Sequence, residues 1–344
     1  MSSAPQRFSV LDALRGVAAL AVCWYHFTNG NTTFLPEGVL KSSGSFGWLG
    51  VEMFFVISGF IIPYALHRSD YRLPDYGVFL LKRVIRLDPP YLVGIFIVIV
   101  LGYASAAAPG YAGAPFKPSV TQVLLHLGYV NVFFGQPWLN PVFWTLAIEV
   151  QYYLIVGLLF SLVSHRSAAV RSVTFAFLSA LSILIPNEKF LFHWLFLFML
   201  GMAGFQLRTR IIGRREFLAW VALLGSGAWY VGGVPIAITG IGTALLLGLF
   251  EAGLRPAWLF FGHISYSLYL LHVPIGGRVI NLSQRFALGI LGKVAVLAAA
   301  FTASIAAAWL LYRFVELPAR EWSSAIRYRR KQRLAAGSLP TTPQ

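Results

Sequence analysis

Stretches of about 20 mostly apolar residues recur along the whole chain, separated by short polar segments. An α-helix of this length crosses the hydrocarbon core of a bilayer. The alternation of apolar and polar residues that a transmembrane β-barrel needs is absent. The pattern predicts an all-α polytopic membrane protein with about ten transmembrane helices. These spans cover residues 8–28, 47–66, 91–107, 145–163, 172–186, 191–207, 217–232, 235–251, 257–276 and 287–312.

One apolar run, SVTQVLLHLGYVNVFFG (119–135), is shorter and contains His126 and Asn131. If it crossed the membrane, every later loop would change sides, and the basic loop RTRIIGRR would face outward. With ten spans instead, both termini and most of the 27 Lys and Arg residues lie on one side. Basic loops are typical of the cytoplasmic side. We therefore expect 119–135 to be an interfacial or re-entrant segment at the outer face.

Composition agrees with a multi-pass protein of the inner (plasma) membrane with both termini in the cytoplasm. Charged residues make up 11% of the 344 positions, and the mean hydropathy is +0.70. The net charge of +15 does not indicate nucleic-acid binding, because the basic residues lie in short loops between apolar runs. We expect a membrane domain over 1–320 and a basic, disordered cytoplasmic tail over 321–344. The single cysteine, Cys23, excludes a disulfide within the chain.

The first predicted helix, LDALRGVAALAVCWYHF, carries three ionisable residues that a simple membrane anchor would not need. Its LAVC segment resembles a lipoprotein cleavage box, but Val22 occupies the small-residue position, so we expect a retained helix. Arg15 and His26 are eleven residues apart, which is a rise of about 16 Å and a return to nearly the same face. Asp12 precedes Arg15 by three residues, a spacing that permits a salt bridge.

Such a stripe predicts that the ionisable residues face the interior of the bundle. Two simpler explanations remain open at this stage. Arg15 could extend to the membrane surface, and His26 could belong to an interfacial aromatic belt beside Trp24 and Tyr25. Their alignment on one face favours a functional role.

Further polar residues are predicted to meet His26 in the outer half of the membrane. They are Glu52, Glu149 and His272, accompanied by the aromatic residues Trp144 and Tyr152. Carboxylates beside aromatic rings suit a hydroxylated ligand such as a sugar. A neutral imidazole can remove a hydroxyl proton near pH 7. No spacing of histidines and acids indicates a metal site.

The opposite face is predicted to be basic. The segment FLLKRVIRLDPPYLV places Lys82, Arg83 and Arg86 within just over one helical turn, ahead of a predicted break at Pro89 and Pro90. Arginine binds phosphate groups in a bidentate manner. The same cluster is also expected from the cytoplasmic position of this loop alone.

Six segments together resemble the motifs of the third acyltransferase family, the integral membrane acyltransferases that include exopolysaccharide and Nod-factor acetylases. They are LDALRGVAALAVCWYHF, GWLGVEMFFVISGFII, FLLKRVIRLDPPYLV, FWTLAIEVQYYL, GHISYSLYLLHVPI and VELPAR, in this order over residues 8–320. The resemblance implies transfer of an acyl group from cytoplasmic acyl-CoA, most simply acetyl-CoA, to a hydroxyl, usually of a sugar. It also implies a stand-alone form without an SGNH-hydrolase-like domain.

The resemblance assigns roles to individual residues. The essential arginine and histidine of the family match Arg15 and His26, and its two acids match Glu52 and Glu149. Its paired-arginine motif for acyl-CoA falls on Lys82 and Arg86, so this chain departs from the motif at the first position.

We therefore predict an O-acyltransferase acting on a glycan or glycosylated metabolite. His26 would be the general base, Asp12 would hold Arg15, and Arg15 would orient His26 or stabilise an oxyanion. Glu149 completes the catalytic set. The predicted binding residues are Lys82, Arg83 and Arg86 for CoA, and Glu52, Trp144, Tyr152 and His272 for the acceptor. The alternative is a proton-coupled transporter that uses Asp12, Arg15, His26 and Glu149 as a relay, although inverted repeats typical of transporters are not evident.

Overall fold

The computed structural model of the chain describes residues 9–109, 115–250 and 256–328, and within them the regular structure is entirely helical. The α-helices are Ser9–Asn29 (α1), Val39–Ser42 (α2), Gly50–Arg68 (α3), Tyr76–Ala106 (α4), Val120–Leu127 (α5), Trp144–Val163 (α6), Ala168–Leu184 (α7), Leu191–Arg208 (α8), Arg214–Gly232 (α9), Val234–Leu249 (α10), Pro256–Leu271 (α11), Gly277–Ser283 (α12), Ile290–Leu311 (α13) and Leu317–Ala325 (α14). Short 3₁₀ segments cover Gly47–Leu49, Leu73–Asp75 and Asn131–Phe134, and π-helical turns cover His272–Gly276 and Tyr312–Glu316.

The predicted all-α membrane fold is confirmed. Each predicted span coincides with one of the ten longer helices, α1, α3, α4, α6 to α11 and α13. Within the described ranges, six helical stretches are long and apolar enough to cross a bilayer, and α7 and α10 are shorter apolar helices. Ten as the number of membrane crossings stays a prediction.

The apolar run 119–135 contains only the short α-helix α5 and the 3₁₀ segment Asn131–Phe134. The eight residues of α5 rise about 12 Å, whereas the hydrocarbon core is about 30 Å thick, so α5 does not cross it. His126 is fully buried there. Its Nδ1 lies 2.7 Å from the Gln122 carbonyl oxygen, and its Nε2 accepts a hydrogen bond of 3.0 Å from the Leu139 amide. His126 therefore holds this segment together.

We predict that this segment makes stability depend on pH. Burial lowers the pKa of His126 below its ordinary value of 6.5. The folded state holds His126 in its neutral form, so its contribution to stability is complete above about pH 6.5. The contribution decreases as the pH falls from that value toward the lower pKa of the folded state. The thermal unfolding midpoint should fall between pH 7.5 and 5.5, and it should fall less in His126→Gln, which cannot titrate. Equal pH dependence of both proteins would contradict this role.

Two predicted boundaries need correction. The expected break at Pro89 and Pro90 is wrong, because α4 runs through both prolines. Prolines inside membrane helices are tolerated where neighbouring groups satisfy the main chain. Next to the prolines, the Tyr266 hydroxyl of α11 donates to the Leu87 carbonyl of α4 at 3.0 Å, which attaches the two helices at this point. At the other end, α14 continues to Ala325 and Tyr328 is buried, so ordered structure passes the predicted tail boundary at 320. Residues 329–344 of that tail lie outside the described residues.

Helices α1 and α11 pack with their backbones in direct contact at the centre of the bundle. A Cβ atom on Gly262 of α11 would lie 2.1 Å from the Asp12 carbonyl oxygen of α1. A Cβ atom on Gly16 would lie 2.9 Å from the Cβ of Phe261. Only glycine permits this approach. The two helices run in the same direction, so His26 near the end of α1 comes to lie beside His272, directly after α11.

Candidate active site

A first cavity of about 110 Å³, which we call the basic cavity, lies between α1, α3, α4, α6 and α11. Its ionisable and hydroxyl-bearing lining residues are Arg15, Ser58, Arg83, Arg86, Thr145, Glu149, Tyr153, Tyr266, Tyr269 and Glu316. Three guanidinium groups against two carboxyl groups give this cavity an excess of positive charge. It therefore suits an anionic ligand or an oxygen on which negative charge develops.

Hydrogen bonds within the basic cavity hold both carboxylates in place. Glu149 accepts hydrogen bonds from the Tyr153 hydroxyl and, at 3.0 Å, from Ser58 Oγ. Glu316 accepts one of 2.6 Å from Ser267 Oγ. The guanidinium of Arg83 lies 5.8 Å from the centre of the Tyr153 ring, within the range of a cation–π interaction. The arginines are thus positioned without forming direct carboxylate ion pairs in the described part of the chain.

A second and larger cavity, which we call the aromatic cavity, has a volume of about 660 Å³. Its aromatic lining residues are Tyr25, Trp48, Trp138, Trp144, Trp194 and Tyr269, and its ionisable ones include His26, Glu52, Glu188, Lys189 and His193. The rings of Trp144 and Trp194 are 5.4 Å apart. Glu52 is 2% exposed, and its Oε2 has no hydrogen-bond partner among the described residues. An unsatisfied acceptor beside aromatic rings suits a hydroxylated ligand.

The two cavities share a wall. Val51 and Tyr269 line both of them. The Tyr269 hydroxyl is 2.8 Å from Thr145 Oγ1, and Thr145 in turn donates to the Val142 carbonyl at 3.0 Å. The ring of Phe54 packs edge-on against Tyr269 at 5.7 Å. A few side chains thus separate a basic compartment from an aromatic one.

His26 lies at the junction of the aromatic cavity and a third cavity of about 300 Å³. Its Nδ1 is 2.9 Å from the Val22 carbonyl oxygen and 3.2 Å from Nε2 of His272. His272 is fully buried and begins a π-helical turn that contains Pro274. π-helical turns are frequent at functional sites.

Comparison with known proteins decides the family. A family model described as an acyltransferase domain matches residues 8–313. The chain belongs to the third acyltransferase family. The sequence-based recognition is confirmed.

Three relatives illustrate the range of similarity. The O-acetyltransferase OatA of Staphylococcus aureus (strain NCTC 8325 / PS 47) is 30% identical over 173 residues, which cover 47% of this chain and 26% of that protein. A putative acetyltransferase, ORF330, of Acidianus two-tailed virus is 27% identical over 213 residues, or 60% of this chain and 58% of the relative. Protein 2 in the picA locus of Rhizobium radiobacter is 33% identical over 94 residues, covering 27% of this chain and 44% of the relative. The chain thus spans about a quarter of the length of OatA. No solved structure matches it.

The family arginine and histidine face the interior as predicted, but they line different cavities. Arg15 lines the basic cavity and His26 the aromatic cavity. Eleven residues of helix separate them by about 16 Å, so Arg15 does not orient His26. The predicted pairing is also wrong, because Asp12 forms no ion pair with Arg15 among the described residues and lines neither cavity.

The predicted cluster of acids and imidazoles is divided in the same way. Glu52 and Trp144 line the aromatic cavity together with His26. Glu149 was expected there, but it lines the basic cavity, because its helical position turns it toward Arg83 and Arg86. His272 lies behind His26 and lines neither cavity.

Two further residues of the predicted site do not reach a ligand cavity. Tyr152 is fully buried, and its ring stacks on Phe198 at 4.2 Å. Lys82 donates two hydrogen bonds of 2.6 Å to the carbonyl oxygens of Ser323 and Ile326 at the end of α14. Arg86, the second position of the family motif, lines the basic cavity together with Arg83, whereas Lys82, the first position, instead attaches α14 to α4.

Sequence reasoning missed several residues that line the cavities. They are Thr145, Tyr153, Trp194, Tyr266 and Tyr269. Tyr153 follows Glu149 by four residues, and that i, i+4 spacing could have indicated the contact. Glu316, which belongs to the VELPAR segment, also lines the basic cavity. Among the described residues, no group of three or more His, Cys, Asp and Glu is arranged to hold a metal ion.

Proposed function

We propose that this protein is a membrane O-acyltransferase that moves an acyl group, most simply acetyl, from acyl-CoA to a hydroxyl of a glycan or glycosylated metabolite. The observation that carries the proposal is the pair of adjacent cavities, one basic and one aromatic, with a common wall at Val51 and Tyr269. Each compartment suits one of the two substrates. Membership in an acyltransferase family supports transfer rather than proton-coupled transport.

The basic cavity would receive the donor. Its volume of about 110 Å³ cannot enclose a nucleotide. The pantetheine arm would therefore extend inward while Arg83 and Arg86 contact the phosphate groups of CoA at the entrance. Arg15 would add to the positive charge that attracts the anionic donor, because a rise of about 16 Å along α1 keeps it away from the carbonyl that reacts beside His26. The basic cavity would then open toward the cytoplasm, where acyl-CoA is found.

The aromatic cavity would bind the acceptor. The indole rings of Trp144 and Trp194 offer flat apolar surfaces for the face of a sugar ring, and the free oxygen of Glu52 can accept a hydrogen bond from a sugar hydroxyl. A volume of about 660 Å³ accommodates a ligand larger than one monosaccharide.

Chemistry would occur where the two compartments meet. His26 takes the proton of the acceptor hydroxyl as its oxygen attacks the carbonyl carbon of the thioester. The tetrahedral intermediate collapses with cleavage of the carbon–sulfur bond. CoA leaves as a thiolate, which takes up the proton, and the acyl group remains as an ester on the acceptor. Side chains at the shared wall must move to admit the thioester.

A labelled donor tests this proposal. The full chain, purified in lipid nanodiscs, is given acetyl-CoA labelled in the acetyl group, alone and with a panel of soluble glycosides. We expect slow hydrolysis alone and faster release of CoA, with labelled ester, in the presence of a suitable glycoside. Folded protein that neither hydrolyses nor transfers acetyl would overturn the proposal. Passage of a glycoside across vesicles without acetylation would favour transport.

A further inference from the structure

His26 and His272 are hydrogen-bonding partners on two different helical segments, and their rings meet edge-on at an angle of 61°. Nδ1 of His26 lies 3.2 Å from Nε2 of His272, and the ring centres are 5.0 Å apart. The contact joins the end of α1 to the π-helical turn that follows α11. The neighbouring Phe27 and Tyr269 rings lie 6.3 and 5.8 Å from the ring of His272.

The carbonyl groups around the pair determine where the protons lie. Nδ1 of His272 is 3.1 Å from the Leu268 carbonyl oxygen, which can only accept a hydrogen bond. Nδ1 of His272 therefore carries a proton, and in the neutral imidazole Nε2 is left with a lone pair. That lone pair faces Nδ1 of His26.

The same reasoning applies to His26. Its Nδ1 lies between two acceptors, the Val22 carbonyl oxygen at 2.9 Å and Nε2 of His272 at 3.2 Å. A lone pair on this nitrogen would face two other lone pairs, so Nδ1 must carry the proton. Nε2 of neutral His26 is then the nitrogen that can accept a proton from a ligand.

A cationic His272 does not fit this geometry. Both of its nitrogens would then donate, and Nδ1 of His26 would have to accept from His272 while its lone pair also faced the Val22 carbonyl. His272 is also fully buried, where an unpaired charge is costly.

We propose that His272 is a positioning residue for acyl transfer: it accepts a hydrogen bond from Nδ1–H of His26 and thereby fixes the tautomer in which Nε2 of His26 is the base. The inference rests on the proposed function for its catalytic consequence. When Nε2 takes the acceptor proton, the positive charge spreads over the imidazole ring, and the hydrogen bond to His272 becomes charge-assisted. Replacing His272 should therefore lower kcat and leave the affinity for the substrates unchanged.

The first test needs no substitution in the pair. In ¹⁵N-histidine-labelled protein, the signal that His26→Ala removes should show a protonated Nδ1 and an unprotonated Nε2. A scalar coupling through the hydrogen bond should link Nδ1 of His26 to Nε2 of His272. His126 is an internal reference, because its Nε2 accepts from the Leu139 amide and its Nδ1 donates to Gln122. An unprotonated Nδ1 on His26 would overturn the proposal whether or not the protein is active.

The second test compares two substitutions. His272→Phe keeps a ring but has no acceptor, whereas His272→Gln places an amide oxygen near the position of Nε2. We expect His272→Phe to lower kcat for acetyl-CoA turnover by about tenfold or more with an unchanged KM, and to give a mixture of His26 tautomers. His272→Gln should keep kcat within about threefold of the wild type.

Three results would count against this role. The first is undiminished kcat in His272→Phe. The second is an equal loss in both variants accompanied by a higher KM and a lower unfolding temperature, which would indicate packing alone. The third is an unchanged His26 tautomer in a His272→Phe protein that has lost turnover. Inactive wild-type protein with the expected coupling would instead refute the acyltransferase proposal and leave the hydrogen-bonded pair intact.

Discussion

Replacing His26 with alanine should lower acetyl transfer by at least about a hundredfold while the protein remains folded, because a positioned general base contributes roughly 10² to 10⁴ in rate. The side chain is partly exposed to the aromatic cavity, so its removal leaves a pocket accessible to a ligand rather than a void in a packed core. The measurement is the kcat of labelled acetyl transfer in nanodiscs, with the unfolding temperature recorded for the same preparation.

His193 provides the comparison for this prediction. It also lines the aromatic cavity, but within the described part of the chain its Nδ1 has no hydrogen-bond partner, so no second imidazole fixes its ring. His193→Ala should therefore act mainly on the KM for the acceptor and reduce kcat by less than about tenfold. A kcat for His26→Ala within threefold of the wild type, or an equal loss in both variants, would end the assignment of His26 as the base.

Replacing Arg86 with alanine should weaken the binding of CoA by about tenfold to a hundredfold. Hydrogen bonds from a charged donor contribute roughly 1.5 to 3 kcal/mol, and Arg86 lies in a cavity with excess positive charge. The dissociation constant of CoA, measured by calorimetry on protein in nanodiscs, reports this effect directly. The KM for acetyl-CoA should rise by a similar factor.

Lys82 is a matched control one helical turn away, with the same charge on the same helix. Its ammonium group is bound to the carbonyl oxygens of Ser323 and Ile326. Lys82→Ala should therefore lower the unfolding temperature and change the affinity for CoA by less than about threefold. If Lys82→Ala weakened CoA binding as much as Arg86→Ala, the donor site would lie at the membrane surface and not in the basic cavity.

The sequence predicted the membrane fold and the inward direction of its polar residues, because both depend on properties local to one helix. Apolar length predicts a span, and helical periodicity places Arg15 and His26 on the same face. Ala19 and Cys23, which lie between them on that face, are fully buried. The family motifs added the likeness to acyltransferases, which the match over residues 8–313 confirms.

What the sequence did not reveal depends on the neighbours of each helix. The positions of Glu149 and Glu52 along their helices predicted that both lie at the same depth in the membrane and line one site. The direction in which α6 packs instead turns Glu149 into the basic cavity. Lys82 and Arg83 are adjacent basic residues and are equivalent in the sequence pattern. The structure separates them, because α14 returns to α4 and its carbonyl groups accept the hydrogen bonds of Lys82. Tyr152 and Tyr153 are adjacent in sequence, yet one packs against Phe198 and the other bonds to Glu149.

The wall at Val51 and Tyr269 has a consequence for the cell that makes this protein. A membrane that stores an ion gradient cannot contain a continuous water-filled passage from one face to the other. If the two compartments open to opposite faces, as the proposed function requires, these side chains would let an acyl group pass while protons, metabolites and coenzyme A remain on their own sides. Substituting Tyr269 with a small residue would then let ions leak through the membrane and dissipate the gradient, in addition to impairing the reaction.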